Sequence, residues 1–156
     1  MRFSFRLLIV LSLVILVSYS CKKGSSPAPV PVPDTTKPTI SFTKPTAGQE
    51  FVAGGNIPFQ VTFSDNEKLK SYEVAISLKV VGGMILKVVP TSVPFSYTRS
   101  STALTGVKSQ EVTITDINIP TNTATTIVST GVYNVKVTCL DSADNSYSTT
   151  LEIKVK

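Results

Sequence analysis

The 156-residue sequence contains no histidine, no tryptophan and only two cysteines. Without histidine it lacks the side chain that most often serves as a general base near neutral pH and most often ligates transition metals. That weighs against hydrolytic and zinc chemistry. No Gly-x-Ser-x-Gly elbow, phosphate-binding glycine loop or cysteine–histidine pair is present. Paired carboxylates remain the sole acid–base chemistry, so the chain is expected not to be an enzyme. Charge is scarce as well. With Arg2 and Arg6 set aside, thirteen of the 15 basic side chains face 10 acidic ones, a balance of +3. Scattered lysines at that balance do not mark a nucleic-acid partner. Helical periodicity of 3.6 and internal repeats are also missing.

The N-terminal residues are the most directive. Arg2 and Arg6 precede an apolar run from Leu7 to Val17, broken only by Ser12. As a helix the run would reach about 16 Å, roughly half of a bilayer core, which suits a signal peptide rather than a membrane span. Ser18 and Ser20 are small, and Cys21 follows. The segment Leu16-Val17-Ser18-Tyr19-Ser20-Cys21 resembles a bacterial lipobox, of the relaxed kind seen in Bacteroidota lipoproteins. The resemblance implies residues 1–20 as a lipoprotein signal peptide and Cys21 as the lipidated residue. One acyl chain binds membranes only marginally, so two or three are expected on it. Cys139 then has no partner and fits an apolar strand as a small hydrophobe. A Cys21–Cys139 disulfide would require Cys21 to be unmodified.

Residues 21–37 read as a tether. Pro27, Pro29, Pro31, Pro33 and Pro38 favour extended polyproline II, and a segment of this length reaches roughly 50 Å. Residues 38–156 then change to a period of two. Ile57, Phe59, Val61 and Phe63 alternate with polar neighbours, as do Tyr72, Val74, Ile76 and Leu78. Tyr133–Cys139 and Leu151–Val155 repeat the pattern. Val112, Ile114, Ile117 and Ile119 change parity between Thr115 and Asp116, which predicts a bulge. Thr39–Thr43, Met84–Val89 and Val93–Thr98 read as shorter or edge strands, with Gly82-Gly83 as a hairpin turn. Seven to eight strands in one domain predict an all-β, Ig-like antiparallel β-sandwich.

Residues Gly131–Asn145 resemble the penultimate-strand signature of bacterial Ig-like domains: Gly-x-Tyr, alternating apolar residues, then Asp-x-x-Gly-Asn. Here Asp144 stands where glycine is usual. Together with Lys37-Pro38-Thr39-Ile40 and Phe63-Ser64-Asp65-Asn66, this resembles a Bacteroidota Ig-like-domain lipoprotein family of unknown function. The residues themselves suggest scaffold roles. Gly131 permits a tight approach, the Tyr133 hydroxyl can bond backbone at a corner, and Asp141 can accept amides of its turn.

Oxygen ligands for calcium are sought among Asp65, Glu67, Asp141, Asp144 and Asn145, whose two loops can share one end of a sandwich. Their linear spacing matches no EF-hand. Asp34-Thr35-Thr36 and Asp141-Ser142-Ala143 resemble a short O-glycosylation motif of exported Bacteroidota proteins, with Thr35 and Ser142 as acceptors. Phe95, Tyr97 and Tyr147 are the aromatics available for stacking on a glycan. Three functions follow: a protein-interaction or assembly module, a glycan-binding accessory lipoprotein, and a calcium-dependent adhesin. Lys22-Lys23-Gly24 after the cysteine is consistent with outer-membrane sorting and lacks the acidic residues of surface export, so a periplasm-facing position is expected. No cofactor other than calcium is suggested.

Overall fold

The computed structural model describes residues 31–79 and 91–156. The signal segment, Cys21, most of the tether, the Gly82-Gly83 turn and the Met84–Val89 strand lie outside the described residues. Pro33–Lys156 form one compact unit, so the last tether residues, Asp34 among them, belong to it. Among the described residues no helix is long and apolar enough to cross a membrane.

The strands are β1 (Thr39–Lys44), β2 (Glu50–Phe51), β3 (Phe59–Ser64), β4 (Leu69–Leu78), β5 (Thr91–Val93), β6 (Tyr97–Ser101), β7 (Ser109–Ile114), β8 (Thr126–Val128), β9 (Gly131–Asp141) and β10 (Ser146–Val155). Two larger sheets, of order β1-β3-β7 and β2-β10-β9-β4-β6, are accompanied by a two-stranded pair, β5-β8. Their apolar faces meet in a single core, which makes the fold an all-β sandwich of Ig-like kind. On β3, Phe59, Val61 and Phe63 point inward while Gln60, Thr62 and Ser64 are partly exposed. Across the interior Phe63 stacks on Tyr72 of β4, with ring centroids 5.2 Å apart. Val135, Val137, Cys139 and Ile153 complete the layer with no exposure at all. Burying an aliphatic side chain of this kind stabilises by about 1.5–3 kcal/mol relative to exposure.

The structure departs from the sequence reading in three places. Among the described residues there are ten strands, and two pairings are parallel: β2 with β10, and β5 with β8. These strands are two or three residues long, too short to leave a period-two pattern. The expected bulge at Thr115–Asp116 is instead the end of β7. The Asn56 side-chain amide donates to the Thr115 carbonyl at 2.7 Å, and beyond it Ile117 and Ile119 stay buried, Ile117 bonded to Ile57 and Ile119 to Gly54 and Gly55. The segment Val93–Thr98 divides between β5 and β6, because Pro94 has no amide to give a ladder. Leu104, unaligned with any strand period, is also fully buried.

Register places the candidate site. Thr39 pairs with Ser64, and Leu69 pairs with Asp141. The entry to β1, the β3–β4 connection and the β9–β10 turn therefore share one end of the sandwich.

Candidate functional site

Three aspartates meet at that end. One carboxylate oxygen from each of Asp34, Asp65 and Asp141 lies within 4.8 Å of the other two. Each arrives by a different local device. Asp141 closes β9 and is completely buried. Its Oδ1 accepts the amides of Ala143 at 2.9 Å and Asn145 at 2.7 Å, and its Oδ2 accepts the Asn145 side-chain amide at 2.7 Å. The turn that carries these amides is a three-residue loop, because the Asp141 amide bonds the Asn145 carbonyl. Such loops end in a left-handed residue, and Asp144 has φ +67°. This is the position where the Ig-like signature has glycine.

Asp65 leaves β3 and folds its side chain over its own turn. Its Oδ2 accepts the amides of Glu67 at 2.9 Å and Lys68 at 3.0 Å. Asp34 is fixed by Thr36, whose amide donates to Oδ1 at 2.9 Å, and by the Asn66 side-chain amide at 3.1 Å. The same two donors, the Thr36 amide first, hold the Asp34 carboxyl below its usual value. Asn145 also donates to the Asp34 backbone carbonyl at 3.1 Å, so one asparagine bridges two of the three aspartates.

The balance of donors and acceptors is incomplete. Asp34 Oδ2 and Asp65 Oδ1 are shielded from solvent and have no hydrogen-bond partner. Among the described residues none of the ion pairs involves these three aspartates. The nearby lysines turn elsewhere: Lys70 pairs with Asp144, and Lys108 donates to the Asn66 carbonyl. Cys139 lies within reach of this negative field. Burial first, then Asp65 and Asp141, push its thiol up to about 12. A thiol that does not ionise is no nucleophile.

Of the sequence-proposed metal ligands, Asp65 and Asp141 come together and Asn145 supports them. Glu67 and Asp144 are exposed and stand outside the cluster. Glu67 contributes its backbone amide rather than its carboxylate, and Asp144 is occupied by Lys70. Asp34 was the residue that sequence reasoning missed as a ligand, since it lies in a proline-rich segment without periodicity.

A family model described as a domain of unknown function, DUF4625, matches residues 19–156. The chain belongs to the DUF4625 family. No curated protein matches it. Among solved structures, this DUF4625 chain is similar to the fibronectin(III)-like modules of CbhA from Clostridium thermocellum, at 18% identity and a TM-score of 0.42, covering 76% of this chain and 46% of that one. It is also similar to Spo0M, a sporulation control protein from Bacillus subtilis, at 10% identity and a TM-score of 0.40, covering 77% and 49%. A β-glucosidase from Listeria innocua aligns at 13% identity and a TM-score of 0.36, covering 76% and 16%. The chain thus spans less than half the length of each of these structures, and the sandwich assignment rests on its own two sheets.

The remaining candidate residues of the DUF4625 domain are dispersed. Phe95 is buried, its ring 6.2 Å from that of Tyr133, and offers no face to a sugar. Tyr97 is half-buried on β6 opposite Ile76. Tyr147 is exposed on β10, three strands away, about 14 Å across the sheet. The three aromatics form no common platform. Thr35 and Ser142 are both exposed, and both follow aspartates of the cluster. Cys21 lies outside the described residues.

Proposed function

We propose that this chain is a lipid-anchored protein of the bacterial cell envelope whose Ig-like sandwich is a non-catalytic module for protein–protein interaction or assembly. Lipid on Cys21 would hold it at the outer membrane, facing the periplasm, in a Bacteroidota-type lipoprotein. The observation that carries the interaction role is a shallow depression of about 620 Å³ on the five-stranded sheet. Ser71, Tyr72, Glu73, Ser100, Thr138 and Leu140 are among the residues that line it, a hydroxyl-rich surface carried mainly by β4, β6 and β9. Short side chains on a sheet lose little entropy on contact, which suits a partner docking over several strands. The lack of histidine supports the non-catalytic part of the reading.

Photo-crosslinkers at Ser100 and Thr138 in whole cells are expected to capture one discrete envelope protein, and a probe at exposed Thr113 on β7 of the opposite sheet is expected not to. Equal labelling from both faces refutes the docking face. Intact-mass analysis of the processed chain tests the anchor: acyl mass on Cys21 supports it, and an unmodified thiol refutes it. A cation-dependent form of this module is favoured by the meeting of Asp34, Asp65 and Asp141.

A further inference from the structure

We propose that Asp34, Asp65 and Asp141 bind one hard divalent cation of the calcium class, and that the cation clasps the N-terminal segment Asp34–Lys37 onto the end of the sandwich. Two independent observations converge on this. The first is the cluster itself: three carboxylates from three separate elements, each with an oxygen within 4.8 Å of the others. Three oxygens at that limiting separation lie about 2.8 Å from their common centre, against Ca–O bonds of about 2.3–2.6 Å, so an inward shift of a few tenths of an ångström seats one cation among them. The second is that Asp34 Oδ2 and Asp65 Oδ1 are inaccessible to solvent and have no donor. A shielded carboxylate oxygen without a partner is costly unless a cation completes it.

The partner oxygens of the same two carboxylates are fully used by Thr36, Asn66, Glu67 and Lys68. Those bonds restrain the rotamers of the two carboxylates, as supporting shells do around metal sites. Asn145 performs the same task for Asp141, while also tying down the Asp34 carbonyl. The ligand atoms are all oxygen, which selects calcium or magnesium over zinc or copper. Three carboxylates leave room for waters, and calcium tolerates that irregular geometry better than magnesium does. Asp34 precedes β1 and belongs to no strand. Asn66 and Asn145 already tie it to the two loops, and the cation would add a stronger tie that slows the opening of this segment.

The test uses the full-length chain in detergent, stripped with EGTA and titrated with Ca²⁺ alone by calorimetry. One Ca²⁺ per chain is expected, with a melting temperature that rises with calcium and returns with chelator. Asp34→Asn, which alters no strand, is expected to weaken binding about tenfold or more, by removing one of three carboxylates. Asp144→Asn, an exposed carboxylate outside the cluster, is expected to leave binding unchanged. Hydrogen exchange at Thr35, Thr36 and Lys37 is expected to slow with Ca²⁺ in the native chain and not in Asp34→Asn. A melting temperature indifferent to calcium and chelator, or equal binding by Asp34→Asn, overturns the site. Binding without slower exchange in this segment overturns the clasp.

Discussion

Strand β9 begins and ends on a buried polar side chain, and the two are treated differently. Near its start, Tyr133 is neutral and fully matched. Its hydroxyl donates to the Ser129 carbonyl at 2.7 Å and accepts the Phe95 amide at 3.2 Å. About 27 Å along the strand, Asp141 is also buried and accepts three bonds, yet it stands beside two further carboxylates. Gly131, at φ +142°, lets the Tyr133 end close tightly, because a Cβ there would meet Leu78 at 3.3 Å. The Asp141 end closes instead with a left-handed Asp144. The comparison teaches that a neutral corner is complete from the chain's own atoms. At the corner built from three aspartates the chain leaves two carboxylate oxygens without a donor, the place that the proposed cation would fill.

Breaking the acidic end is expected to have the largest effect. Asp141→Ala strands two backbone amides and the Asn145 side chain, costing about 3 kcal/mol in urea unfolding. Tyr133→Phe, which loses two bonds at the neutral end, is expected to cost about 1–2 kcal/mol by the same measurement. The two losses add in the double variant, because the sites share no partner. A calcium-dependent loss for Asp141→Ala, against a calcium-independent one for Tyr133→Phe, sharpens the contrast. Equal losses with equal calcium response would erase it.

Alkaline titration separates the ends in another way. Burial raises the thiol of Cys139 to about 12 from an ordinary 9.0, and burial also raises the Tyr133 phenol. Both are acids that the folded state keeps protonated. Their contribution is fully present below the unfolded value and is lost as pH rises through the folded one. For Cys139 the window runs from about pH 9 to about 12. Cys139→Val is expected to flatten the fall of stability with pH across that window, read from urea midpoints at stepped pH. An unchanged slope would show that Cys139 contributes nothing to it. In the native chain a thiol reagent at neutral pH is expected to leave Cys139 unmodified.

The smallest expected effect is a gain. Asp144→Gly relieves a left-handed aspartate, worth about 0.5–1 kcal/mol, and gives up an exposed pair with Lys70 worth a few tenths. A net rise in the urea midpoint is expected, and a fall would mean that the Lys70 pair outweighs the backbone strain.

The alternation on β3, β4, β9 and β10 was legible because each of these strands buries one face, and burial imposes a period of two on the residues. The roles of Tyr133, Asp141 and the turn before Asn145 were legible for a similar reason, since the bonds are local in the chain. Short β2, β5 and β8 were not, because two or three residues carry no period. The Val112–Ile119 segment misled because its apolar parity persists where the ladder stops.

The sequence alone determined the sandwich class, the inward face of each long strand and the chemistry withheld by its missing histidine. Tertiary structure decided which carboxylates meet. Asp34, Asp65 and Asp141 are far apart in the chain and are neighbours only because β1 pairs with β3 and β4 with β9. Local spacing encodes which face a residue takes on its own strand. The convergence of charges from separate loops depends on how strands are registered against one another, and that is set by the whole core.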